Sequence, residues 1–182
     1  MSLNSYLIEG ARPYGEDVQD IRIIGGRIAE IGIGLDPENL GVVRAEGRVA
    51  LPSFVDLHTH LREPGREDAE TIASGSRAAT LGGFSAVFAM ANTAPVADTA
   101  GVVEQVWRLG RETGLVDVFP IGAVSVGLNG QALAELGAMA ASAAGVTVFS
   151  DDGHCVFDPL LMRRALEYVK TFDGVIAQHA QD

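Results

Sequence analysis

The sequence predicts an α/β fold in which a sheet of parallel strands is covered by helices. From residue 51 onward, five short apolar segments alternate with four segments of helical pattern. The apolar segments are continuous rather than alternating in polarity, which is typical of parallel strands buried on both faces. Hydrophobic residues make up 47% of the 182-residue chain, enough to build a core. Both an open doubly wound sheet and a (β/α)8 barrel fit this order of elements.

Residues 1–50 have a different pattern and are predicted to form a small antiparallel β-module, part of a composite β-domain. Gly25-Gly26 separates two β-like runs and is typical of a tight hairpin. The predicted strands of this module cover residues 6–10, 20–24, 27–31, 42–45 and 48–50. Residues 51–182 form the second predicted domain.

The elements of the second domain follow from its apolar runs and from the glycines that end its helices. Strands are predicted at residues 54–57, 84–90, 116–122, 146–149 and 174–178. Helices are predicted at residues 67–81, 99–113, 131–144 and 158–172. Asp158 and Pro159 are a favourable N-cap and first residue for the last helix. The glycine pattern of a dinucleotide-binding turn is absent after the first strand.

Composition and charge exclude several classes of function. The formal net charge is −11, which is unfavourable for binding nucleic acid or anionic lipid. Cys155 is the single cysteine, so an internal disulfide is impossible and a reducing compartment is expected. The beginning of the chain lacks a signal-peptide pattern, and no apolar run is long enough to span a membrane. We expect a soluble, cytoplasmic domain.

Polar side chains that suit a metal ion follow the predicted strands. His58 and His60 are two residues apart at the end of the first strand, so both can reach one ion from the same face. Later strand ends carry Asn92, Asp151 with Asp152, and His179. In β/α barrels the carboxyl ends of the strands form one rim, where the chemistry takes place. Imidazole suits zinc and similar metals, so we predict a metal site on this rim.

Other polar residues near the rim have more than one interpretation. His154 and Cys155 lie in the loop after the fourth strand, where they either support the site, form a lid or are structural. Asp56 either orients one of the histidines or caps a nearby backbone amide.

Residues 52–65, PSFVDLHTHLREPG, resemble the opening signature of the dihydroorotases, a family of the amidohydrolase superfamily. The resemblance continues through residues 70–71, 82–84, 90–95 and 149–153 and ends with residues 178–182, so it spans nearly the whole chain. The first block is fairly specific for cyclic amide hydrolases. Its combination with the later blocks is typical of the long, bacterial type. The resemblance implies a (β/α)8 barrel of the TIM type, of which the first five strands are present.

The resemblance also implies the ligands of a zinc site with one or two ions. His58 and His60 would hold one ion. Asp152 would bridge two ions or serve the first, and His179 would bind the second. Asp152 is chosen over Asp151 because its spacing to His179 matches the family pattern; Asp151 is the alternative.

Arg62 and Asn92 would bind a carboxylate of the substrate, a role that suits a guanidinium group beside an amide. The implied activity is reversible, zinc-dependent hydrolysis of the cyclic amide of dihydroorotate to N-carbamoyl-L-aspartate, a step of pyrimidine biosynthesis. The resemblance also leads us to expect a homo-oligomer, with aspartate transcarbamoylase as a candidate partner.

Two alternatives remain open. One is another cyclic amide hydrolase, such as an allantoinase or hydantoinase. Hydantoinases bridge their metals with a carbamylated lysine, whereas the single lysine here, Lys170, lies within the last predicted helix. The other alternative is a non-catalytic, dihydroorotase-like scaffold for a transcarbamoylase, although such a protein would usually have lost metal ligands.

The chain departs from the family pattern at several points. Ala91 stands where a proline is common, and Gln181 stands where a glutamate is common. The family's next metal-binding histidine and its catalytic aspartate come later in the family's sequence, so no catalytic residue is assigned here. We therefore expect the isolated chain to be inactive and the remainder of its own chain to complete the site. Five strands would also leave the edge of the fifth exposed.

Overall fold

The computed structural model describes residues 4–181. The chain divides into two compact units, Met1–Pro52 and Ser53–Asp182. This division falls two residues beyond the predicted boundary between the β-module and the second domain. No helix among the described residues is long and apolar enough to cross a membrane.

The first unit is a five-stranded sheet of mixed direction. Its strands are β1 (Tyr6–Pro13), β2 (Gln19–Ile24), β3 (Arg27–Gly32), β4 (Gly41–Arg44) and β5 (Val49–Ala50). The strands β1, β2 and β3 pair antiparallel, and the hairpin at Gly25-Gly26 has φ values of 57° and 77°, as the sequence predicts. The prediction of a wholly antiparallel module is wrong for β4 and β5, which pair parallel to β1. After β3 the chain returns through residues 33–40 instead of a tight turn, so β4 runs in the direction of β1.

A buried carboxylate holds the loops of this unit together. Asp20 is 8% exposed, and its two oxygens accept hydrogen bonds from the backbone amides of Gly10 at 2.8 Å and Leu35 at 3.0 Å. The amide of Gly10, followed by those of Leu35 and Gly34, keeps the pKa of Asp20 below its ordinary value against the opposing effect of burial.

The second unit contains five parallel strands in chain order, separated by helices. Its elements are β6 (Phe54–Thr59), α1 (Ile72–Leu81), β7 (Phe84–Ala89), α2 (Ala100–Thr113), β8 (Asp117–Pro120), α3 (Leu136–Ala141), β9 (Val148–Phe149), α4 (Pro159–Val169) and β10 (Val175–Ile176). A parallel bridge between Gly122 and Phe149 connects the sheet β6-β7-β8 to the pair β9-β10. Each strand therefore neighbours the next one in the chain, as in a β/α barrel, whereas a doubly wound sheet reverses its order.

Two helices are shorter than predicted, and hydrogen bonds at their first residues explain both cases. Helix α1 begins at Ile72 because Thr71 is its N-cap: the Thr71 side chain accepts from the Ser74 amide, and the Ser74 hydroxyl accepts from the Thr71 amide, both at 3.0 Å. Helix α3 begins at Leu136 because the preceding residues pair elsewhere: the amide of Glu135 donates to the Asp98 carbonyl at 3.2 Å. The helix α4 begins after its predicted N-cap, Asp158.

The core of this unit lies between the strands and the helices. The larger cluster is centred on Phe149, Leu136 and Met139 and is packed against α2, α3 and α4. The strand β6 leaves large apolar side chains exposed, including Leu57 at 68%. Among residues 4–181, β6 pairs only with β7 and β10 only with β9, so the row of five parallel strands has two unpaired edges. This agrees with the expected exposed edge of the fifth barrel strand.

Candidate metal centre

The carboxyl ends of four parallel strands bring the predicted site residues together. His58 lies in β6 and His60 directly after it, and alternation along the strand directs both side chains to one face. Asn92 follows β7, Asp152 follows β9 and His179 follows β10. The structure thus brings these five side chains to the same rim.

Asp152 is the centre of this cluster. It is 6% exposed, and its Oδ1 lies 3.2 Å from His58 Nε2 and 3.2 Å from His179 Nδ1. Its Oδ2 lies 3.4 Å from His60 Nε2. The ligand atoms of His58, His60 and Asp152 all lie within 4.8 Å of one another. His179 is outside that group of three and joins the cluster through its contact with Asp152.

The chemistry of these side chains fits a divalent metal ion. A nearly buried carboxylate is costly unless a cation or several hydrogen-bond donors compensate its charge. The groups around Asp152 are imidazoles and an amide, and no lysine or arginine contacts it among the described residues. Imidazole nitrogens and carboxylate oxygens are common ligands of zinc. His58, His60 and Asp152 could hold one ion, and His179 contacts the same carboxylate.

Asp151 has entirely different surroundings. It is 1% exposed, and its Oδ1 accepts from the backbone amides of Val124 at 2.7 Å and Ser125 at 3.0 Å. Its Oδ2 accepts from the hydroxyl of Ser125, which in turn accepts from the amide of Gly130 at 2.8 Å. The carboxylate of Asp151 is therefore satisfied by donors and takes no part in the histidine cluster.

The two residues predicted to bind substrate differ in their contacts. The Asn92 Oδ1 lies 3.0 Å from His60 Nδ1, and its Nδ2 donates to Asp152 Oδ2 at 3.2 Å. Arg62 is exposed and has a left-handed backbone with φ of 62°. The guanidinium of Arg62 makes no hydrogen bond or ion pair within residues 4–181, which leaves it available to a ligand.

The remaining candidates near the rim have structural contacts. Asp56 Oδ1 accepts from the backbone amide of His58 at 3.0 Å, so it caps the backbone. His154 is exposed, and its amide donates to the carbonyl of Asp151 at 2.8 Å. The Sγ of Cys155 accepts from Gln178 Nε2 at 3.2 Å.

Two glutamines beside His179 were not identified as site residues from the sequence. The Gln178 side chain donates to the Val156 carbonyl at 3.0 Å and accepts from its amide at 3.4 Å, which ties the loop after Asp152 to the end of β10. Gln181 Oε1 lies 3.0 Å from His179 Nε2. The only sequence signal for Gln178 and Gln181 is that they lie next to His179, a candidate ligand, because the two glutamines do not form a recognisable motif.

A cavity of about 380 Å³ lies beside the cluster. His58, Asp152 and His179 line it together with the apolar side chains of Met90 and Ile121. A small polar ligand in this cavity would therefore contact the proposed metal ligands.

Comparison with known proteins gives a family match over most of the chain. Residues 47–182 match the family model described as "Dihydro-orotase-like". The chain is 64% identical over 180 residues to the dihydroorotase of Streptomyces coelicolor, an alignment that covers 99% of this chain and 42% of that protein. It is 59% identical over 180 residues to the dihydroorotase of Mycobacterium tuberculosis, covering 98% and 42%. The chain therefore spans less than half the length of these relatives.

Solved structures with a similar fold include a hydantoinase and a dihydropyrimidinase. The L-hydantoinase (dihydropyrimidinase) of Arthrobacter aurescens has a TM-score of 0.80 at 19% identity, covering 99% of this chain and 41% of that one. The dihydropyrimidinase of Brevibacillus agri has a TM-score of 0.70 at 20% identity, covering 98% and 40%. At such identities the similarity shows a shared fold.

Proposed function

Because this chain belongs to the dihydro-orotase-like family, we propose that the protein is a metal-dependent dihydroorotase that reversibly hydrolyses dihydroorotate to N-carbamoyl-L-aspartate. The observation that carries the proposal is the cluster around Asp152, where three imidazole nitrogens lie within 3.4 Å of one carboxylate. This arrangement stands at the end of the strands, where barrel enzymes perform their chemistry.

We assign the metal roles from the family resemblance. His58 and His60 would hold one zinc ion, His179 would hold a second, and Asp152 would serve both. Asp152 Oδ1 faces both His58 and His179, and Oδ2 faces His60, so this one carboxylate contacts all three imidazoles of the proposed site. A bound metal supplies Lewis acidity and a source of hydroxide near neutral pH. Lys170 is exposed at the end of α4, so the bridge between the ions is assigned to an aspartate and not to a carbamylated lysine.

The substrate roles fall to Arg62 and Asn92. Arg62 has an unpaired guanidinium, which matches the fork geometry of a carboxylate. Asn92 uses its carbonyl oxygen and one N–H on His60 and Asp152, which leaves its second N–H for the same carboxylate. A pyrimidine-synthesis role further implies a cytoplasmic location, and we retain homo-oligomer formation and an aspartate transcarbamoylase partner as proposals from the family resemblance.

A pair of substrates tests this function in the full-length protein. We expect zinc-loaded protein to hydrolyse dihydroorotate in preference to dihydrouracil, which has the same ring without the carboxylate. Arg62→Met should lower kcat/KM for dihydroorotate by roughly 30- to 150-fold, since a charge-assisted pair contributes about 2–3 kcal/mol. The same substitution should leave hydrolysis of dihydrouracil nearly unchanged.

Arg66→Met is the matched control, because the Arg66 side chain is exposed and pairs only with Asp68, at 3.4 Å, among residues 4–181. It should leave both rates unchanged. Preference for dihydrouracil would indicate a hydantoinase-like enzyme. Folded, zinc-containing protein without turnover of either substrate would support the scaffold alternative.

A further inference from the structure

Asn92 lies between a proposed metal ligand and the carboxylate at the centre of the cluster. Its Oδ1 is 3.0 Å from His60 Nδ1, and its Nδ2 is 3.2 Å from Asp152 Oδ2. We propose that Asn92 is a positioning residue that fixes the tautomer and the ring orientation of His60, so that His60 presents Nε2 to the metal. This inference rests on the proposed metal site.

The carboxylate of Asp152 determines which way the amide of Asn92 faces. An ionised carboxylate only accepts hydrogen bonds, so the group of Asn92 that faces Asp152 is the NH2 group. The opposite orientation would place a carbonyl oxygen against a carboxylate oxygen at 3.2 Å, where two acceptors repel each other. The amide oxygen of Asn92 therefore points to His60.

The amide oxygen in turn determines the tautomer of His60. An amide oxygen only accepts, so the proton of the neutral imidazole lies on Nδ1. The lone pair is then on Nε2, which is the atom 3.4 Å from Asp152 Oδ2. A metal-ligating histidine commonly donates its other ring N–H to an acceptor that fixes the ring in this way.

The other two histidines of the cluster are held less firmly. The Nδ1 atom of His58 has no hydrogen-bond partner among residues 4–181, and the His58 side chain is 55% exposed. His179 has an amide partner at Nε2, but that partner, Gln181, is itself exposed. Asn92 is half-buried and bonded at both ends of its amide, so His60 is the ligand that is oriented before the metal binds.

The positioning role and the substrate role predict different results for the same substitutions. Asn92→Ala leaves the Nδ1–H of His60 without an acceptor, and zinc affinity should fall by about 10- to 100-fold. Asn92→Asp keeps an acceptor for the Nδ1–H of His60 but sets a second carboxylate oxygen against Asp152 Oδ2. A bound cation relieves that repulsion, so the zinc affinity of Asn92→Asp should not fall below that of the unmodified protein. If Asn92 acted on the substrate alone, neither variant would alter zinc affinity, and Asn92→Asp would repel the substrate carboxylate more strongly than Asn92→Ala.

The experiment measures zinc dissociation constants of the full-length protein and its variants by competition with a chromogenic chelator. Thr93→Ala is the control for disturbance of the same loop, because the Thr93 hydroxyl donates to the Pro95 carbonyl at 2.8 Å and contacts none of the proposed ligands. Its zinc affinity should be unchanged. A long-range ¹H–¹⁵N NMR spectrum gives an independent readout, in which His60 of the zinc-loaded protein should be protonated at Nδ1.

The outcomes separate this inference from the proposed function. Reduced zinc affinity in Asn92→Ala with retention in Asn92→Asp supports the positioning role. Unchanged zinc affinity in Asn92→Ala, or a His60 protonated at Nε2, overturns it while leaving the proposed enzyme intact. Failure of the unmodified protein to bind zinc overturns the metal site itself and the inference with it.

Discussion

Two adjacent aspartates of the second unit are both buried, but they differ in the hydrogen-bond donors that their neighbours supply. The Asp151 pocket is formed by Val124, Ser125 and Gly130, and the Asp152 cluster by the three histidines and Asn92. Both carboxylates are buried, at 1% and 6% exposure. Burial alone therefore does not distinguish a structural carboxylate from a candidate metal ligand.

The difference lies in what the neighbours can donate. Around Asp151, two backbone amides and a hydroxyl supply hydrogens, so the negative charge is satisfied within the protein. Around Asp152, the neighbouring groups are three imidazoles and the single amide donor of Asn92. A neutral imidazole that donates on one side carries a lone pair on the other. Several lone pairs that converge on a carboxylate are best satisfied by a cation.

The largest expected effect is on the Asp152 cluster. Asp152→Ala should abolish turnover and lower zinc affinity by roughly 10²- to 10³-fold, if one of four ligand groups carries about a quarter of the 10–16 kcal/mol of a zinc site. The free energy of unfolding of the metal-free protein should hardly fall, because the substitution removes an uncompensated buried charge. Chelator competition and urea denaturation of the full-length protein measure the two quantities. Unchanged zinc affinity would show that Asp152 is not a ligand.

The second effect, in the Asp151 pocket, is on stability and not on zinc affinity. Asp151→Ala leaves two amides and a hydroxyl without an acceptor, so the free energy of unfolding should fall by about 3 kcal/mol or more. Asp151→Asn is the matched variant that retains one carbonyl oxygen for the two amides, so its free energy of unfolding should fall by less than that of Asp151→Ala. Urea denaturation without metal checks both. Full stability of Asp151→Ala together with loss of zinc would exchange the roles of the two aspartates.

A third, smaller effect comes from the hydroxyl group of the Asp151 pocket. Ser125 is fully buried, and its hydroxyl donates to Asp151 and accepts from Gly130. Ser125→Ala should lower the free energy of unfolding by about 1–2 kcal/mol, because the backbone amides that hold Asp151 remain. Zinc affinity measured alongside should stay at the unmodified value. A loss as large as that of Asp151→Ala would mean that the hydroxyl and not the amides holds the carboxylate.

The sequence predicts the rim, but only the family resemblance, through the spacing to His179, separates the two aspartates; strand and helix patterns do not. Strand positions follow from apolar runs, and parallel strands necessarily align their carboxyl ends, so the meeting of His58, Asp152 and His179 could be foreseen. Adjacent residues of an extended chain point to opposite sides. Only one of Asp151 and Asp152 can therefore face the histidines, but the choice depends on Ser125, which belongs to a loop with no recognisable motif.

The same limit explains the errors in the fold. The length of α3 depends on a hydrogen bond from Glu135 to Asp98, two residues far apart in sequence. The parallel pairing of β4 depends on the path of residues 33–40, not on the composition of the strand. Local patterns predict which residues form strands and helices, and contacts distant in sequence determine where those elements begin and which neighbour they take.

The smallest expected effect concerns Asp20, a carboxylate of the first unit that is held by amides in the manner of Asp151. Its folded pKa lies below the unfolded value of about 3.9, chiefly because of the Gly10 amide. The stabilisation is therefore present above the unfolded pKa and is lost as pH falls through the folded pKa. The stability difference between the unmodified protein and Asp20→Asn, measured by urea denaturation with chelator present, should shrink on acidification below about pH 4.

The backbone amide of Gly10 gives a direct check of this direction. Its NMR chemical shift should titrate with a midpoint below the ordinary value of an aspartate, and the titration should vanish in Asp20→Asn. Asp17→Asn, at an exposed position whose side chain makes no hydrogen bond within residues 4–181, should leave that midpoint in place. A Gly10 midpoint at or above the ordinary pKa of an aspartate would mean that the amide donors do not stabilise the charge of Asp20. Asp20 would then not be comparable with Asp151. In that case the stabilisation of Asp151 by its amide donors would have to be measured separately before Asp151 is compared with Asp152.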